Sequence, residues 1–288
     1  MSGRVAGKVA LITGAARGQG CSHALALARE GADIIAVDFC EDIETNDYPL
    51  ARPDDLAATV NEIEALDRRA YHQIVDVRDR AGLAGAIHRG VSELGHLDIV
   101  VANAGICPLG ADRGPQAFLD AIQVNFGGVV NAIEGALPHL RNGASIIATG
   151  SVAGLIPGAL NNPVTGPGGA GYAWSKNAVA TFIHTLALQL APQLIRANVV
   201  HPTNCDTDML QNDMMYRIYR PDLENPTRED AEPAFNSLQK MPVPYVAATD
   251  ISNAVLFLAS DESRYVTGLQ MKVDAGSLLG QPYPAMGS

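Results

Sequence analysis

Near its start the chain reads Val9-Ala-Leu-Ile-Thr13-Gly14-Ala-Ala-Arg17-Gly18-Gln19-Gly20. Val9–Thr13 is an apolar run with the length of a buried strand, and Gly20–Glu30 has the pattern of a helix that Gly31 ends. The three glycines of the turn allow a sharp change of direction and a close approach of the backbone to a bound group. A strand, a glycine turn and a helix in this order predict the opening unit of an α/β fold.

The glycine turn also predicts a ligand. Backbone N–H groups at a helix N-terminus favour a pyrophosphate, although the spacing differs from the common G-x-G-x-x-G fingerprint and a purely structural turn is the alternative. Asp38 ends the next apolar strand, where a carboxylate can hold the hydroxyls of an adenosine ribose. Because a 2′-phosphate would meet a like charge there, the sequence predicts NAD rather than NADP.

Strands and helices alternate through the first 200 residues without a linker or repeat. The predicted strands after the first are Ile34–Asp38, Tyr71–Val75, Leu97–Ala102, Ser145–Thr149 and Arg196–Val200. The polar stretch Glu41–Pro53 delays the helix Asp54–Arg68, and the clearest helix follows Gly171 and ends at Pro192. We predict one domain over residues 1–288, a Rossmann-type doubly wound parallel sheet of about seven strands with helices on both faces.

Composition limits the class of partner. Hydrophobic residues make up 47% of the chain, enough for a large core, and the net charge of −11 disfavours nucleic acid and anionic membranes. The four cysteines stand apart, so neither a metal site nor a disulfide framework is expected. With no signal peptide and no membrane-spanning run, a cytoplasmic protein with a small-molecule substrate is predicted.

Residues 203–244 differ from the rest of the chain because they show no sustained period. They contain Met209, Met214, Met215, Tyr216 and Tyr219 among prolines and charges. Segments this long are commonly functional lids or disordered, and Met and Tyr side chains suit an adaptable apolar pocket. A substrate lid is predicted, and a solvated insertion with a few packing residues is the alternative.

Tyr172 and Lys176 lie four residues apart in the clearest helix and therefore on one face. An ammonium beside a phenol lowers the phenol pKa, and the resulting phenolate can remove the proton of an alcohol. The pair predicts acid–base chemistry, although a Tyr-x-x-x-Lys spacing also arises by chance on helix surfaces.

Taken together, the motifs resemble the short-chain dehydrogenase/reductase family from the N-terminus to about Gly276. They are the Thr-Gly-x-x-x-Gly-x-Gly turn at 13–20, Asp38, Asp76-Val77, Asn103-Ala104-Gly105, Asn125, Ser151, Tyr172 and Lys176. Each motif is weak alone, but their joint order on the predicted elements is specific. The resemblance implies a hydride transfer between a secondary alcohol or its ketone and a nicotinamide cofactor.

The resemblance also implies a role for each position. Tyr172 would be the general acid/base, Ser151 would hold the substrate oxygen, Lys176 would lower the Tyr172 pKa and grip the nicotinamide ribose, and Asn125 would hold a water leading to solvent. The implied cofactor-binding residues are Gly14, Arg17, Gly18, Gln19, Gly20, Asp38, Asp76, Val77, Asn103, Ala104, Gly105, Tyr172, Lys176, Pro202, Thr203 and Thr207. Capping roles for Ser151 and Asp76 and a backbone-pairing role for Asn125 are the alternatives.

Two departures from the family pattern narrow the resemblance. The segment Asn161–Gly171 lengthens the gap between Ser151 and Tyr172, and we expect it to be a loop at the substrate mouth. The run His201-Pro202-Thr203-Asn204-Cys205-Asp206-Thr207, with the insertion after Asp38, resembles a subgroup of carveol dehydrogenase-like enzymes associated with the redox carrier mycofactocin. That subgroup implies a tightly retained NAD, enclosed by extra residues at its adenosine end and regenerated in place by an external carrier.

The sequence therefore predicts an NAD(H)-dependent oxidoreductase for a hydrophobic secondary alcohol, terpenoid-like or cyclic. A homotetramer is implied by the family, with Gly280–Ser288 reaching a neighbouring subunit. Two alternatives stay open: an ordinary ketoreductase with an exchangeable NAD(P)H, and a dinucleotide-binding regulator without catalytic activity.

Overall fold

Seven parallel strands form one sheet at the centre of the molecule, which is described here by a computed structural model of residues 3–279. In chain order the strands are β1 Val9–Thr13, β2 Asp33–Asp38, β3 Ala70–Ile74, β4 Leu97–Ala102, β5 Leu140–Thr149, β6 Arg196–Pro202 and β7 Gln270–Val273. They lie in the order β3-β2-β1-β4-β5-β6-β7, and every pair is parallel. The predicted doubly wound sheet is confirmed; the tail Gly280–Ser288 lies outside the described residues.

Helices cover both faces of the sheet. They are α1 Gly18–Arg29, α2 Pro53–Ala65, α3 Arg80–Leu94, α4 Pro115–Ile122, α5 Gly128–Ala136, α6 Gly166–Leu190, α7 Asp213–Tyr219, α8 Arg228–Ser237 and α9 Ala248–Ala259. Alternate β1 residues point to opposite faces, so Leu11 packs in a core with α3, α5 and α6, and Ile12 packs in a second core with α1, α2 and α9. These two apolar layers hold the sheet rigid and fix the positions of its carboxyl ends.

The strand order reverses between β1 and β4, which opens a crevice beyond their carboxyl ends. Thr13 and Asn103 brace this crevice, because the Thr13 hydroxyl oxygen accepts from the N–H groups of Asn103 (3.0 Å) and Ala104 (3.1 Å). The Asn103 amide donates to the Thr13 carbonyl over 3.1 Å, and the Thr149 hydroxyl donates to the Asn103 side-chain oxygen over 3.1 Å. The ends of β1, β4 and β5 are thereby tied together.

The expected loop before Tyr172 is wrong in part, because α6 already begins at Gly166. Its glycines serve close packing: a Cβ on Gly168 would overlap the carbonyl oxygen of Pro108, and one on Gly171 would lie 2.7 Å from the carbonyl oxygen of Phe118 in α4. A glycine-rich segment is a poor helix former in isolation, and the tertiary contact overrides that propensity.

The lid, residues 203–244, contains two short helices where the sequence showed no sustained period. Each has its own start signal: the Asn212 side chain accepts from the N–H of Met215, and Thr227 and Asp230 form a reciprocal capping box before α8. Tyr216 and Phe235 then pack together in a small separate core. Local caps and one aromatic contact therefore order the segment without a long amphipathic pattern.

Three further observations concern the described residues alone. No helix within residues 3–279 is long and apolar enough to span a bilayer. The same range brings no three His, Cys, Asp or Glu side chains together in an arrangement that could hold a metal ion. All four cysteines are free thiols.

Candidate active site

A cleft of about 650 Å³ lies beyond the carboxyl ends of the strands. Every predicted site residue lines it except Asn125, which is fully buried behind the wall. The lining set from the sequence is Gly14, Arg17, Gly18, Gln19, Gly20, Asp38, Asp76, Val77, Asn103, Ala104, Gly105, Ser151, Tyr172, Lys176, Pro202, Thr203 and Thr207. The strands bring these positions together although they are spread over most of the chain.

The glycine turn forms the floor of the cleft. Gly14 and Gly18 have φ of +68° and +55°, a left-handed backbone that side chains disfavour. A Cβ on Gly18 would lie 3.4 Å from the methyl group of Thr207, so the lid closes directly over the turn. The side-chain oxygen of Gln19 is buried and has no hydrogen-bond partner among the described residues. A bound polar molecule in the cleft would supply the missing donor.

Asp38, the last residue of β2, lies at one end of the cleft. Its two carboxylate oxygens accept from the N–H groups of Ala16 (3.0 Å) and Cys40 (3.1 Å), which fixes the side chain against the glycine turn. Each oxygen keeps a free lone pair for a further donor such as a ribose hydroxyl. The geometry suits a cofactor with an unmodified ribose.

Asp76 and Val77 line the cleft beside β3, but Asp76 also has a structural task. Its carboxylate accepts from the backbone N–H and the Nε of Arg78, both over 2.8 Å. The expected helix-capping alternative is wrong for Asp76, because Asp79 caps α3 by accepting from the N–H of Gly82. Val77 packs against α5, because a Cβ on Gly128 would lie 2.6 Å from a Val77 methyl group. These two residues shape the wall through contacts already made within the protein.

Tyr172, Lys176 and Ser151 meet at the other end of the cleft. Lys176 Nζ lies 5.8 Å from the centre of the Tyr172 ring and donates to the carbonyl oxygen of Thr149 over 2.8 Å. The Ser151 hydroxyl oxygen accepts from the N–H of Ala153 over 3.2 Å, and the same hydroxyl is close enough to the Tyr172 phenol to lower its pKa. The three functional groups therefore line the same end of the cleft.

The electrostatics differ from the expectation that the ammonium makes the phenol acidic. Burial raises the pKa of Tyr172, the nearby Cys107 thiol raises it further, and the Ser151 hydroxyl lowers it. Burial also lowers the pKa of Lys176 to about 8. Desolvation outweighs the expected effect of Lys176 on Tyr172, because both groups lie in a pocket that disfavours their charged forms.

Asn125 supports this end from behind. It lies in a π-helical turn, Gln123–Gly127, and its side chain both accepts from and donates to the backbone of Ile106, over 2.8 and 2.9 Å. A Cβ on Gly105 would lie 3.2 Å from the Asn125 oxygen and 3.4 Å from Lys176 Nζ. Asn125 therefore pairs with the backbone, as the alternative from the sequence predicted. It also lies close to the Lys176 ammonium.

His201 is a site residue that sequence reasoning missed. Its Nδ1 accepts from the N–H of Ser151 over 3.2 Å, and its Nε2 lies 2.7 Å from the side-chain oxygen of Gln270. A Cβ on Gly150 would lie 2.5 Å from Nδ1, so the glycine permits this approach. The available signal was the histidine before Pro202, at the end of a buried strand, where the family pattern has no such side chain.

Arg17 joins both insertions across the mouth of the cleft. Its guanidinium donates to the carbonyl of Pro49 over 2.5 Å and pairs with Asp208 over 3.1 Å. Pro49 belongs to residues 39–52 between β2 and α2, a segment we name the strap, and Asp208 belongs to the lid. Arg17 also lies 5.9 Å from the centre of the Tyr48 ring. The glycine turn, the strap and the lid thereby form one enclosure.

The strap extends beyond the adenosine end, where the sequence argument placed it. The Tyr48 hydroxyl lies 3.4 Å from the N–H of Cys107, in the segment after β4 that carries Gly105. The polar run Glu41–Pro53 gave no sign of this reach, because a loop's path depends on contacts distant in sequence.

The lid contributes apolar side chains to the substrate end. The cleft is lined there by Ile156, Leu160, Met209, Leu210, Met215, Ile218, Tyr219 and Leu238. Thr203, expected to hold the cofactor, exchanges hydrogen bonds with Gln239 over 2.9 and 3.2 Å and so fastens the lid. Some of the methionines and tyrosines predicted for the lid line the cleft, and Tyr216 lies in the small core of the lid.

A phenol, an ammonium and a serine hydroxyl at one end of a dinucleotide-shaped cleft define an acid–base oxidoreductase site of the Rossmann class. The amino-acid pattern of a family described as enoyl-(acyl carrier protein) reductase matches residues 14–277. A (−)-trans-carveol dehydrogenase of Rhodococcus erythropolis is 45% identical over 96% of this chain and 99% of its own.

Solved structures agree with this class. A carveol dehydrogenase from Mycobacterium avium in complex with NAD is 48% identical, covers 96% of this chain and 99% of its own, and superposes with a TM-score of 0.91. A short chain dehydrogenase from Mycobacterium paratuberculosis bound to NAD is 38% identical with the same coverage and a TM-score of 0.83. The chain belongs to the short-chain dehydrogenase/reductase family, as its motifs predicted.

Proposed function

We propose that this protein is an NAD-dependent oxidoreductase that interconverts a hydrophobic secondary alcohol and its ketone. The observation that carries the proposal is the placement of Tyr172, Lys176 and Ser151 at the end of the cleft opposite Asp38. The cleft fits a dinucleotide, because the glycine turn offers backbone donors between those ends and the buried Gln19 oxygen has no partner within residues 3–279. NAD, when bound, supplies the hydride acceptor at its nicotinamide ring.

The chain's own residues handle the proton. In oxidation Tyr172 takes the alcohol proton while Ser151 donates a hydrogen bond to the substrate oxygen. Lys176, held by the Thr149 carbonyl, supplies a positive charge beside the phenolate and orients the nicotinamide ribose. Asn125 holds the backbone of Ile106 behind Lys176, and a water held beside it would link Lys176 to solvent. Ketone reduction uses the same groups in reverse.

The substrate is apolar and of the size of a monocyclic terpenoid alcohol. The methionine and leucine side chains of the lid offer no charge to a ligand, and they can repack around an irregular ring. The carveol dehydrogenase relatives act on a substrate of this kind, as their names state. Screening secondary alcohols with an artificial electron acceptor tests the assignment: turnover is expected with cyclic apolar alcohols and not with short linear diols.

NAD is retained between turnovers and reoxidised in place by an external carrier, a mycofactocin-like redox partner. The enclosure formed by Arg17, the strap and the lid supports this proposal, because the Arg17–Asp208 pair joins the glycine turn to the lid across the mouth of the cleft. Asp208→Asn is expected to speed release of NAD several-fold, about the effect of weakening one ion pair. Asp213→Asn, a carboxylate in the same lid, is the control.

The test of retention is direct. The protein is purified without added nucleotide, the bound nucleotide is identified by mass, and its exchange with isotopically labelled NAD is followed. Near-stoichiometric NAD that exchanges over hours is expected. An empty site, or exchange on mixing, contradicts retention and favours an ordinary ketoreductase.

The active form is proposed to be a homotetramer in the cytoplasm. Exposed apolar side chains on α6 support assembly, since Trp174 is 53% and Leu188 78% exposed and they lie about four turns apart on one side of the helix. The free thiols suit a reducing compartment. Light scattering after gel filtration is expected to give four times the chain mass, and Trp174→Lys to give smaller species. Cell fractionation tests the location.

A further inference from the structure

The strap brings a second tyrosine to the catalytic end of the cleft. Tyr48 is only 6% exposed, and its hydroxyl oxygen accepts a hydrogen bond from the N–H of Cys107. Cys107 lies two residues after Gly105, where a Cβ would approach Lys176 Nζ. The Tyr48 hydroxyl therefore reaches the half of the cleft that contains Tyr172 and Lys176.

The proton of the Tyr48 hydroxyl is not used within the protein. Among residues 3–279 the hydroxyl makes one hydrogen bond, in which it is the acceptor. Tyr48 lines the cleft, and leaving a buried donor without an acceptor is energetically unfavourable. Buried donors of this kind normally find a partner, so a bound molecule is expected to offer an oxygen at this point.

The hydroxyl is also kept in its donor form. Burial raises the pKa of Tyr48, and negative charge on Cys107 or Tyr172 would raise it further. At any working pH the phenol therefore carries its proton. The protonated hydroxyl is suited to donating a hydrogen bond to a ligand oxygen.

The strap holds Tyr48 in place before any ligand arrives. The Thr45 hydroxyl donates to Asp120 in α4 over 2.7 Å, and Asp47 forms an ion pair with Arg113. The Asn46 amide donates to the Tyr48 carbonyl over 2.6 Å. These contacts of the three residues before Tyr48 reduce the entropy lost when its hydroxyl meets a partner.

We propose that Tyr48 is a cofactor-binding residue that donates a hydrogen bond to an oxygen of the nicotinamide-ribose half of NAD. The strap then contributes directly to the site as well as covering it. This inference rests on the proposed NAD-linked function, but it does not depend on slow release of the cofactor.

Tyr48→Phe tests the proposal, since it keeps the ring and removes only the hydroxyl. Charcoal first removes bound nucleotide, and binding of NADH and of ADP is then measured by calorimetry. The Kd for NADH is expected to rise about threefold to tenfold, the effect of one lost hydrogen bond, while the Kd for ADP stays within about twofold. Tyr265→Phe, at a site 89% exposed, is the matched control and should change neither.

The ratio of the two Kd values separates a local effect from a general one. A variant that is less stable overall weakens both ligands alike and leaves the ratio unchanged, which overturns the proposal. Unchanged NADH binding with a raised KM for the alcohol also overturns it, because the hydroxyl would then serve the substrate. If the unaltered protein fails to bind NADH, the proposed function fails together with the role of Tyr48.

Discussion

At the scale of single residues, the acid–base pair illustrates a balance between charge and burial. Lys176 and Tyr172 lie on one face of α6, yet the pocket that brings them together also removes water from both. Burial lowers the pKa of the ammonium to about 8 and raises that of the phenol. The ammonium therefore stays largely charged near neutral pH, and the phenol keeps its proton.

These two pKa shifts predict different pH profiles for ketone reduction and alcohol oxidation. Reduction needs the protonated phenol beside a charged Lys176, so its kcat/KM should be flat between about pH 6 and about pH 7, below the pKa of both groups. Oxidation needs the phenol to accept a proton, so its kcat/KM should rise over the same range by up to about tenfold per pH unit. Initial rates in constant-ionic-strength buffers measure both. A reduction profile that falls to half below neutral pH contradicts the account.

The cofactor preference also depends on one residue. Asp38→Ala combined with Phe39→Arg removes the carboxylate and adds a cation at the next position, which lines the cleft. The ratio of kcat/KM for NADP(H) to that for NAD(H) should rise by about 100-fold or more, since a like-charge contact becomes an attractive one. Asp76→Ala serves as the comparison, because its carboxylate already pairs with Arg78. Equal use of both cofactors by the unaltered protein argues against the role of Asp38.

At the scale of secondary-structure elements, glycine has two opposite effects in helices of this chain. Gly168 in α6 packs on the Pro108 carbonyl with no room for a side chain, whereas a Cβ on Gly85 in α3 would meet only the movable end of Arg89 at 3.3 Å. Alanine is a better helix former than glycine at both positions. A difference in stability between the two Gly→Ala variants therefore reports the effect of packing, because the gain in helix propensity is shared.

We therefore expect Gly168→Ala to lower the free energy of unfolding by about 1–3 kcal/mol through overpacking. Gly85→Ala should raise it by about 0.5–1 kcal/mol, because the alanine side chain restricts the unfolded backbone. Urea denaturation followed by circular dichroism measures both. Equal changes at the two glycines would show that α6 does not pack closely on the segment before α4.

The sequence predicted the sheet and most of the site because both depend on local signals. Strand-length apolar runs, the turn at Gly14 and the spacing of Tyr172 and Lys176 are each readable within a few residues. The start of α6, the position of Tyr48 and the contact of His201 with Ser151 depend on neighbours that are distant in the chain. A glycine-rich segment or a polar loop carries no signal of what it will pack against.

At the scale of the whole molecule, α1 and α9 meet through a buried histidine. His23 Nδ1 lies 2.8 Å from the Ser252 hydroxyl, and its Nε2 is buried without a hydrogen-bond partner in the described part of the chain. Burial lowers the His23 pKa to about 3 from 6.5. Between these values the unfolded chain binds a proton that the folded protein excludes, so stability falls as the pH falls.

We expect this one group to cost about 2 kcal/mol of stability at about pH 5 relative to neutral pH. In His23→Asn, which keeps a hydrogen bond to Ser252 and cannot titrate, the loss between about pH 7 and about pH 5 should shrink by that amount. Urea unfolding at the two pH values gives the difference. If His23→Asn and the unaltered protein lose the same free energy of unfolding between the two pH values, groups other than His23 cause the acid sensitivity.

The fold also explains why catalysis and enclosure occur together. The strap follows β2, the lid follows β6, and the cleft lies between them beyond the same edge of the sheet, with Arg17 contacting both. The cleft is therefore bordered by two segments that are separate in the chain. All of this rests on proton exchange between Tyr172 and an alcohol bound beside the cofactor.

Rapid mixing of the NAD-loaded protein with a cyclic secondary alcohol tests that claim most directly, with reduced nicotinamide followed by its absorbance. The unaltered protein should form one equivalent of NADH in a fast phase. Tyr172→Phe should slow that phase by about 10²–10⁴-fold while holding the same amount of nucleotide. A fast phase that is unchanged in Tyr172→Phe, with nucleotide fully bound, would contradict the account.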